Sequence, residues 1–247
     1  MQALDKDLRS ALEKTIKAAR ETAEIAAHAA VDQLGVGHDK PDTFFSDAEK
    51  ALRNRLRTHG KQLGDVRDSK STNPTYGKQQ VQHLVQEVAY EHWHRMLFAR
   101  FLADNDLLMY DGVAVTIEEC DELAADEGAK SGWELAGKLA ARMLPQVFKP
   151  GSPVFFLDFA PEHQSELESL LKALPDAAFK ASDSLGWVYQ FWQADNKKRI
   201  NESEVRIGSE ELPSVTQLFT EPYMVAFLLQ NSLGAWWRPV IQASLVR

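Results

Sequence analysis

One cysteine, Cys120, stands in a chain of 247 residues, and a single thiol excludes both an internal disulfide framework and a zinc site built on several cysteines. Long apolar runs are missing too. No stretch approaches the roughly 18 uninterrupted apolar residues that a membrane helix needs. The start, Met1 to Asp7, lacks a basic patch followed by an apolar run, so nothing there reads as a secretory signal. The cytoplasm is the expected compartment, and no membrane partner is expected. There is no excess of positive charge: 28 Lys and Arg against 36 Asp and Glu leave a net charge of −8, which excludes a module that grips nucleic acid with its whole surface. Walker loops, GxGxxG turns and GxSxG elbows are absent, so NTPase, dinucleotide and hydrolase chemistries have no support.

What is present is helical periodicity. Hydrophobic residues make up 44% of the chain, enough for one large helical domain or two smaller ones. Leu4, Leu8, Leu12, Ile16, Ala19, Ala23, Ala27 and Ala30 recur at helical spacing, which predicts a helix from about residue 3 to Leu34, closed by Gly35 and Gly37. A second helix is expected over 43–63, then an exposed loop over 64–77. Residues 78–103 carry apolar side chains on nearly every face, so this helix is expected at the centre of its domain. Asp111-Gly112 marks a turn before a short strand at 113–115, and Thr116 is placed to cap a helix with Glu118 and Glu119 in its first turn. Further helices are expected over 132–144 and 161–174, with Lys149-Pro150-Gly151-Ser152-Pro153 breaking the chain between them. The fold class is mainly α, divided as 1–180, a helical domain, and 181–247, an aromatic helix followed by a second motif.

Few residues suggest chemistry. His92 and His94 are two apart on a predicted helix, so they diverge by about 200° and cannot chelate one ion by themselves; no HExxH occurs, and no metal is expected. Glu91 and Arg95, four apart, suit an ion pair. Cys120 sits among acids in Glu118-Glu119-Cys120-Asp121-Glu122, which raises a thiol's pKa and favours packing over nucleophilic attack. From Arg53 to Lys70 lie Arg53, Arg55, Arg57, His59, Lys61, Arg67 and Lys70, opposed only by Asp65 and Asp68. They read either as a solvated helix end followed by a loop or, through Arg53, Arg55, Arg57 and Lys61, as contacts to a DNA backbone. Trp187 and Phe191 share one stripe of a helix that Ser182 or Asp183 is placed to cap; such a stripe is either core or a stacking platform. Thr220 is placed to cap a final helix that carries Glu221 and Pro222 in its first turn.

Two blocks carry a resemblance. Leu185-Gly186-Trp187-Val188-Tyr189-Gln190-Phe191-Trp192 and Leu212-Pro213-Ser214-Val215-Thr216-Gln217-Leu218-Phe219-Thr220 resemble the region just before the catalytic domain of large adenine-specific DNA methyltransferases of phage-defence systems, of the BREX (PglX-like) and DISARM types. Residues 88–102 resemble the helical N-terminal region of the same proteins. The resemblance implies an N-terminal helical region ending at the first helix of a class I methyltransferase fold. It also implies a parent reaction that moves a methyl group from S-adenosylmethionine to adenine N6 of DNA. In that family a Phe/Tyr-Thr-Pro turn lines the cofactor pocket, which transfers a cofactor role to Phe219, Thr220 and Pro222; Glu221 intervenes where many members have Thr-Pro directly. The family's Gly-rich cofactor loop and its Asn-Pro-Pro-Tyr-like motif for the flipped adenine do not occur in these residues. The chain is therefore expected to be a truncated or excised portion, inactive alone, with no cofactor bound to it. DNA and defence-system proteins are the partners implied. The alternative is a stand-alone helical interaction protein derived from such a gene.

Overall fold

The computed structural model describes residues 3–66, 79–202, 208, 212–216 and 219–237. Among them the protein is mainly α. Its strands form a hairpin of two-residue strands, β1 (Met109–Tyr110) and β2 (Val113–Ala114), antiparallel with Met109 opposite Ala114. Asp111 and Gly112 turn it, both at positive φ, as a tight hairpin requires. No helix among the described residues is long and apolar enough to cross a membrane. The chain divides into two compact units, one of Lys17–Phe179 and one of Met1–Ile16 with Lys180–Arg247.

In the Lys17–Phe179 unit, the later turns of α1 (Lys6–Gln33) bury Ala19, Ala23, Ala26 and Ala27 on one stripe. The helix stops at Gly35, which adopts φ +59°, a left-handed conformation that favours glycine. Helix α2 (Asp47–Gln62) begins later than its pattern predicts, because Ser46 and Glu49 close a capping box. Ser46 Oγ accepts from the Glu49 amide at 3.2 Å and the Glu49 carboxylate accepts from the Ser46 amide at 2.8 Å. Most of the loop expected over 64–77 lies outside the described residues.

Helix α3 (Gln82–Asp104) is the centre of this unit, with Leu84, Val88, Trp93 and Leu97 fully covered. Each such side chain contributes about 1.5–3 kcal/mol of burial. Its first turn has no cap of its own. The carboxylate of Asp65, itself buried, accepts from the amides of His83 and Leu84 at 2.9 Å each and supplies the negative charge a helix start favours. At the other end buried Arg100 donates to the carbonyls of Leu171 and Leu174 and pairs with Asp104 at 3.2 Å, tying α3 to the last turn of α7 (Pro161–Lys172). Between them lie α4 (Ile117–Leu123), capped by Thr116 and Glu119 as expected, then α5 (Gly132–Met143) and α6 (Pro145–Phe148). A 3-10 turn, Pro153–Phe156, follows. Helix α5 packs along both α3 and α4. Helix α8 spans Asp176–Lys180.

The second unit contains α9 (Ser184–Glu202), α10 (Leu212–Thr216), which packs on α9, and α11 (Pro222–Leu229), which runs into a π turn at Gln230–Gly234.

Candidate functional site

The two sequence blocks that carry the family resemblance meet in space. On α9, Trp187 and Phe191 are one turn apart and their rings stack with centroids 5.5 Å apart. Asp183, buried, does not act as a free helix cap. Its carboxylate accepts from the Trp187 indole N–H at 3.0 Å and from the Leu4 amide at 2.8 Å, which fixes the indole's orientation. The Arg9 guanidinium lies 4.8 Å from the centre of the Trp187 ring, a cation–π contact. Phe219 then packs against the same indole at 5.2 Å, and its amide donates to Gln190 Oε1 at 3.1 Å. The ring fits because residue 186 is glycine: a Cβ there would stand 2.0 Å from Phe219 Cδ2. A glycine in mid-helix costs about 1 kcal/mol against alanine, and here it provides the notch for the ring.

The three residues assigned to the cofactor occupy different settings. Phe219 is half-buried against Trp187, Thr220 is exposed, and Pro222 is the first residue of α11. Thr220 is not the helix cap. Glu221 holds that position with φ −60° and ψ 143°, and no side chain bonds to the helix start. The reason is Pro222: its ring disfavours helical backbone in the preceding residue, so the helix opens one residue later than the threonine predicts. Helix α11 and the residues after it leave Tyr223, Phe227, Leu228, Leu233 and Trp236 more than 60% exposed, an apolar surface of the kind that marks an interaction site.

In the Lys17–Phe179 unit the four cations of α2 proposed for DNA contact separate by task. Arg53 is only 2% exposed; its Nε donates to Gly35 O at 2.9 Å and its Nη2 to His38 O, so it ties α2 to the end of α1 and cannot reach a phosphate. Arg57 is likewise turned inward, onto the carbonyls of Val36 and His38. Arg55 and Lys61 are exposed. Arg55 lies 5.1 Å above the half-exposed Phe156 ring and donates to Gly151 O at 3.1 Å, beside an open groove of about 410 Å³ lined by Asn54, Thr58, His59 and Gln62. Arg67 and Lys70 lie outside the described residues.

The remaining candidates are structural. His92 stacks on Phe159 at 4.4 Å with Nε2 3.0 Å from Val154 O, and burial pushes its pKa down to about 4. His94 stacks on Tyr90 at 5.2 Å and lies against Phe98 and Phe148, and burial pushes its pKa below the usual value. No group of three potential ligands that could hold an ion occurs among the described residues. Arg95 lies over Phe155, 3.7 Å from the ring centre, rather than in a direct bond to Glu91. Cys120 is fully buried, and burial first, then Asp121, Glu119 and Glu118, pushes its thiol up to about 11. It is a packing residue.

Two curated proteins are similar to the chain. It is 33% identical over 81 residues to the adenine-specific methyltransferase BrxX of Escherichia coli O9:H4 (strain HS), a match covering 31% of this chain and 7% of that protein. It is 26% identical over 200 residues to the adenine-specific methyltransferase PglX of Lacticaseibacillus casei (strain Zhang), covering 64% of this chain and 16% of that protein. The chain thus resembles adenine-specific methyltransferases of the BREX type and spans a small part of their length. No family model matches it. No solved structure is significantly similar to it.

Proposed function

We propose that these residues form the helical N-terminal region of an S-adenosylmethionine-dependent methyltransferase that marks adenine N6 of DNA in a phage-defence system. In this reading α9 and the Phe219 turn are the hinge point at which the helical region hands over to the class I methyltransferase fold, and α11 is that fold's first helix. One observation carries the reading. The two blocks that resemble the region before the catalytic domain are 29 residues apart at their bonded pair, Gln190 and Phe219, yet they form one aromatic joint with a glycine notch. The apolar residues left exposed on α11 suit a helix that a catalytic domain covers.

The 247 residues supply the scaffold and not the transfer, since neither a Gly-rich cofactor loop nor a target-base motif occurs among them. Arg55 and Lys61, exposed on α2, are the residues proposed to meet DNA phosphates. The test is genetic and chemical. Single-molecule sequencing of host DNA should show N6-methyladenine at one motif when the gene containing these residues is intact and none when residues 1–237 are deleted from it. Methylation unchanged by that deletion would overturn the proposal. A stand-alone interaction protein, binding defence-system partners through α11, is favoured instead if the deletion abolishes defence and leaves methylation intact.

A further inference from the structure

The first turn of α1 and the Phe219 turn are far apart in sequence, yet both hold one side chain, the Trp187 indole. Asp5 caps α1: its Oδ1 accepts from the amides of Asp7 at 2.9 Å and Leu8 at 2.8 Å. Just outside the cap, the Leu4 amide donates to Asp183 Oδ1 at 2.8 Å. Asp183 Oδ2 accepts from Trp187 Nε1 at 3.0 Å. One buried carboxylate thus joins the start of α1 to the indole, each oxygen taken by a different donor. Arg9 adds a second point of attachment, its guanidinium 4.8 Å from the centre of the Trp187 ring. All these residues belong to the same compact unit. Helix starts near a chain terminus stay poorly ordered unless something ties them down, and here two separate contacts do so.

Phe219 depends on the same ring. Its centroid is 5.2 Å from that of Trp187, and it sits in the Gly186 notch, where a Cβ would stand 2.0 Å from Phe219 Cδ2. Neither Leu4 nor Arg9 has a hydrogen bond or ring contact of its own to Phe219 among the described residues, so the indole is the link between them. An indole is rigid. With its N–H bonded to Asp183 and its ring stacked on Phe191 at 5.5 Å, it presents Phe219 with one fixed surface. Lifting the start of α1 removes the cation from the ring and one of the two donors from Asp183. Other staggered positions of the Trp187 side chain then become accessible, and the surface that seats Phe219 is no longer held.

We infer that Leu4–Arg9 is a strap that positions the Phe219 turn through Trp187, with Asp183 and Arg9 as the positioning residues. The coupling is reciprocal by linkage: whatever lifts the strap loosens Phe219, and loss of Phe219 loosens the strap. It stands on the contacts alone. Its consequence, that the first turn of α1 sets the geometry of the cofactor turn, rests on the methyltransferase reading.

Amide hydrogen exchange on the full chain, read by NMR at Leu4 and Phe219, tests the coupling with no cofactor present. Arg9→Ala should speed exchange at Phe219 about three-fold, as loss of a half-buried cation–π contact allows. Phe219→Ala should speed exchange at Leu4 by a similar factor. Lys14→Ala, which removes an exposed cation further along α1, should change neither site. Exchange at Leu97 in α3 should stay constant throughout, which separates release of the strap from global unfolding. Asp183→Asn puts an amide N–H where one of the two donors needs an acceptor, and should speed both sites. Arg9→Lys, which keeps a cation over the ring, should restore part of the protection at Phe219. Unchanged exchange at Phe219 in Arg9→Ala, unchanged exchange at Leu4 in Phe219→Ala, or an equal rise at Leu97 would overturn the inference. Such a failure leaves the methyltransferase reading standing, because that reading is tested by methylation of host DNA.

Discussion

The ring of Phe219 occupies the space a side chain at Gly186 would need, with 2.0 Å between Phe219 Cδ2 and a Cβ built on residue 186. No rotation of a β-carbon relieves such a contact, so Gly186→Ala must displace the ring from Trp187. Overpacking costs about 1–3 kcal/mol, against a gain of about 1 kcal/mol from replacing a helical glycine. The expected result is a net loss of up to about 2 kcal/mol in urea denaturation, with a changed near-ultraviolet circular dichroism signal from tryptophan. A stabilised variant with an unaltered signal would show that the joint is not packed this way.

Thr220→Ala should leave stability within about 0.5 kcal/mol, because the threonine is exposed and Glu221 holds the cap position. Loss of a functioning cap would cost about 1 kcal/mol. Thermal denaturation of the variant separates the two values.

The cationic residues of α2 should divide in the same way under mutation. Arg53→Ala removes a buried guanidinium from the carbonyls of Gly35 and His38 and should cost about 2–4 kcal/mol of stability. The double change Arg55→Ala with Lys61→Ala should leave stability nearly untouched. Any binding of duplex DNA should be weak and insensitive to sequence, and its salt dependence should flatten by close to two released ions in the double variant. A salt slope that stays the same would remove α2 from the DNA surface.

His92 gives a pH signature. Its folded pKa, about 4, lies below its unfolded value of about 6.5, so between these values the unfolded chain binds more protons. Its contribution is full above about pH 6.5 and is lost as the pH falls toward 4, on the order of 1–3 kcal/mol for a partly covered ring. Urea midpoints measured from pH 7 to pH 4.5 should fall, and His92→Gln should fall less. Equal slopes for the two proteins would contradict this.

Periodicity made most helices legible from residues alone. The alanine stripe of α1 and the all-round apolar face of α3 are both found where spacing put them. The capping box of Thr116 and Glu119 was readable because its residues are adjacent in sequence. What escaped was set by contacts across the chain: Asp65 capping α3, Asp183 bonded to Trp187 and Leu4, and the inward turn of Arg53 and Arg57. A cluster of cations reads as exposed until the carbonyls at the end of α1 are seen to claim two of them. The notch at Gly186 could have been suspected, since a glycine beside Trp187 in a strongly aromatic helix has no propensity reason to be there. The shift of the α11 cap from Thr220 to Glu221 was readable as well, from the restriction Pro222 places on its neighbour.

The isolated chain, incubated with labelled S-adenosylmethionine and adenine-containing duplex DNA, should transfer no label above the buffer control. Calorimetry on the same sample should find no cofactor affinity tighter than about millimolar, roughly 4 kcal/mol of binding, because in the proposed reading the Gly-rich loop that closes the pocket over a ligand is not among these residues. Transfer of label, or micromolar cofactor binding abolished by Phe219→Ala, would mean that these residues contain a complete methyltransferase site and would contradict a scaffold role.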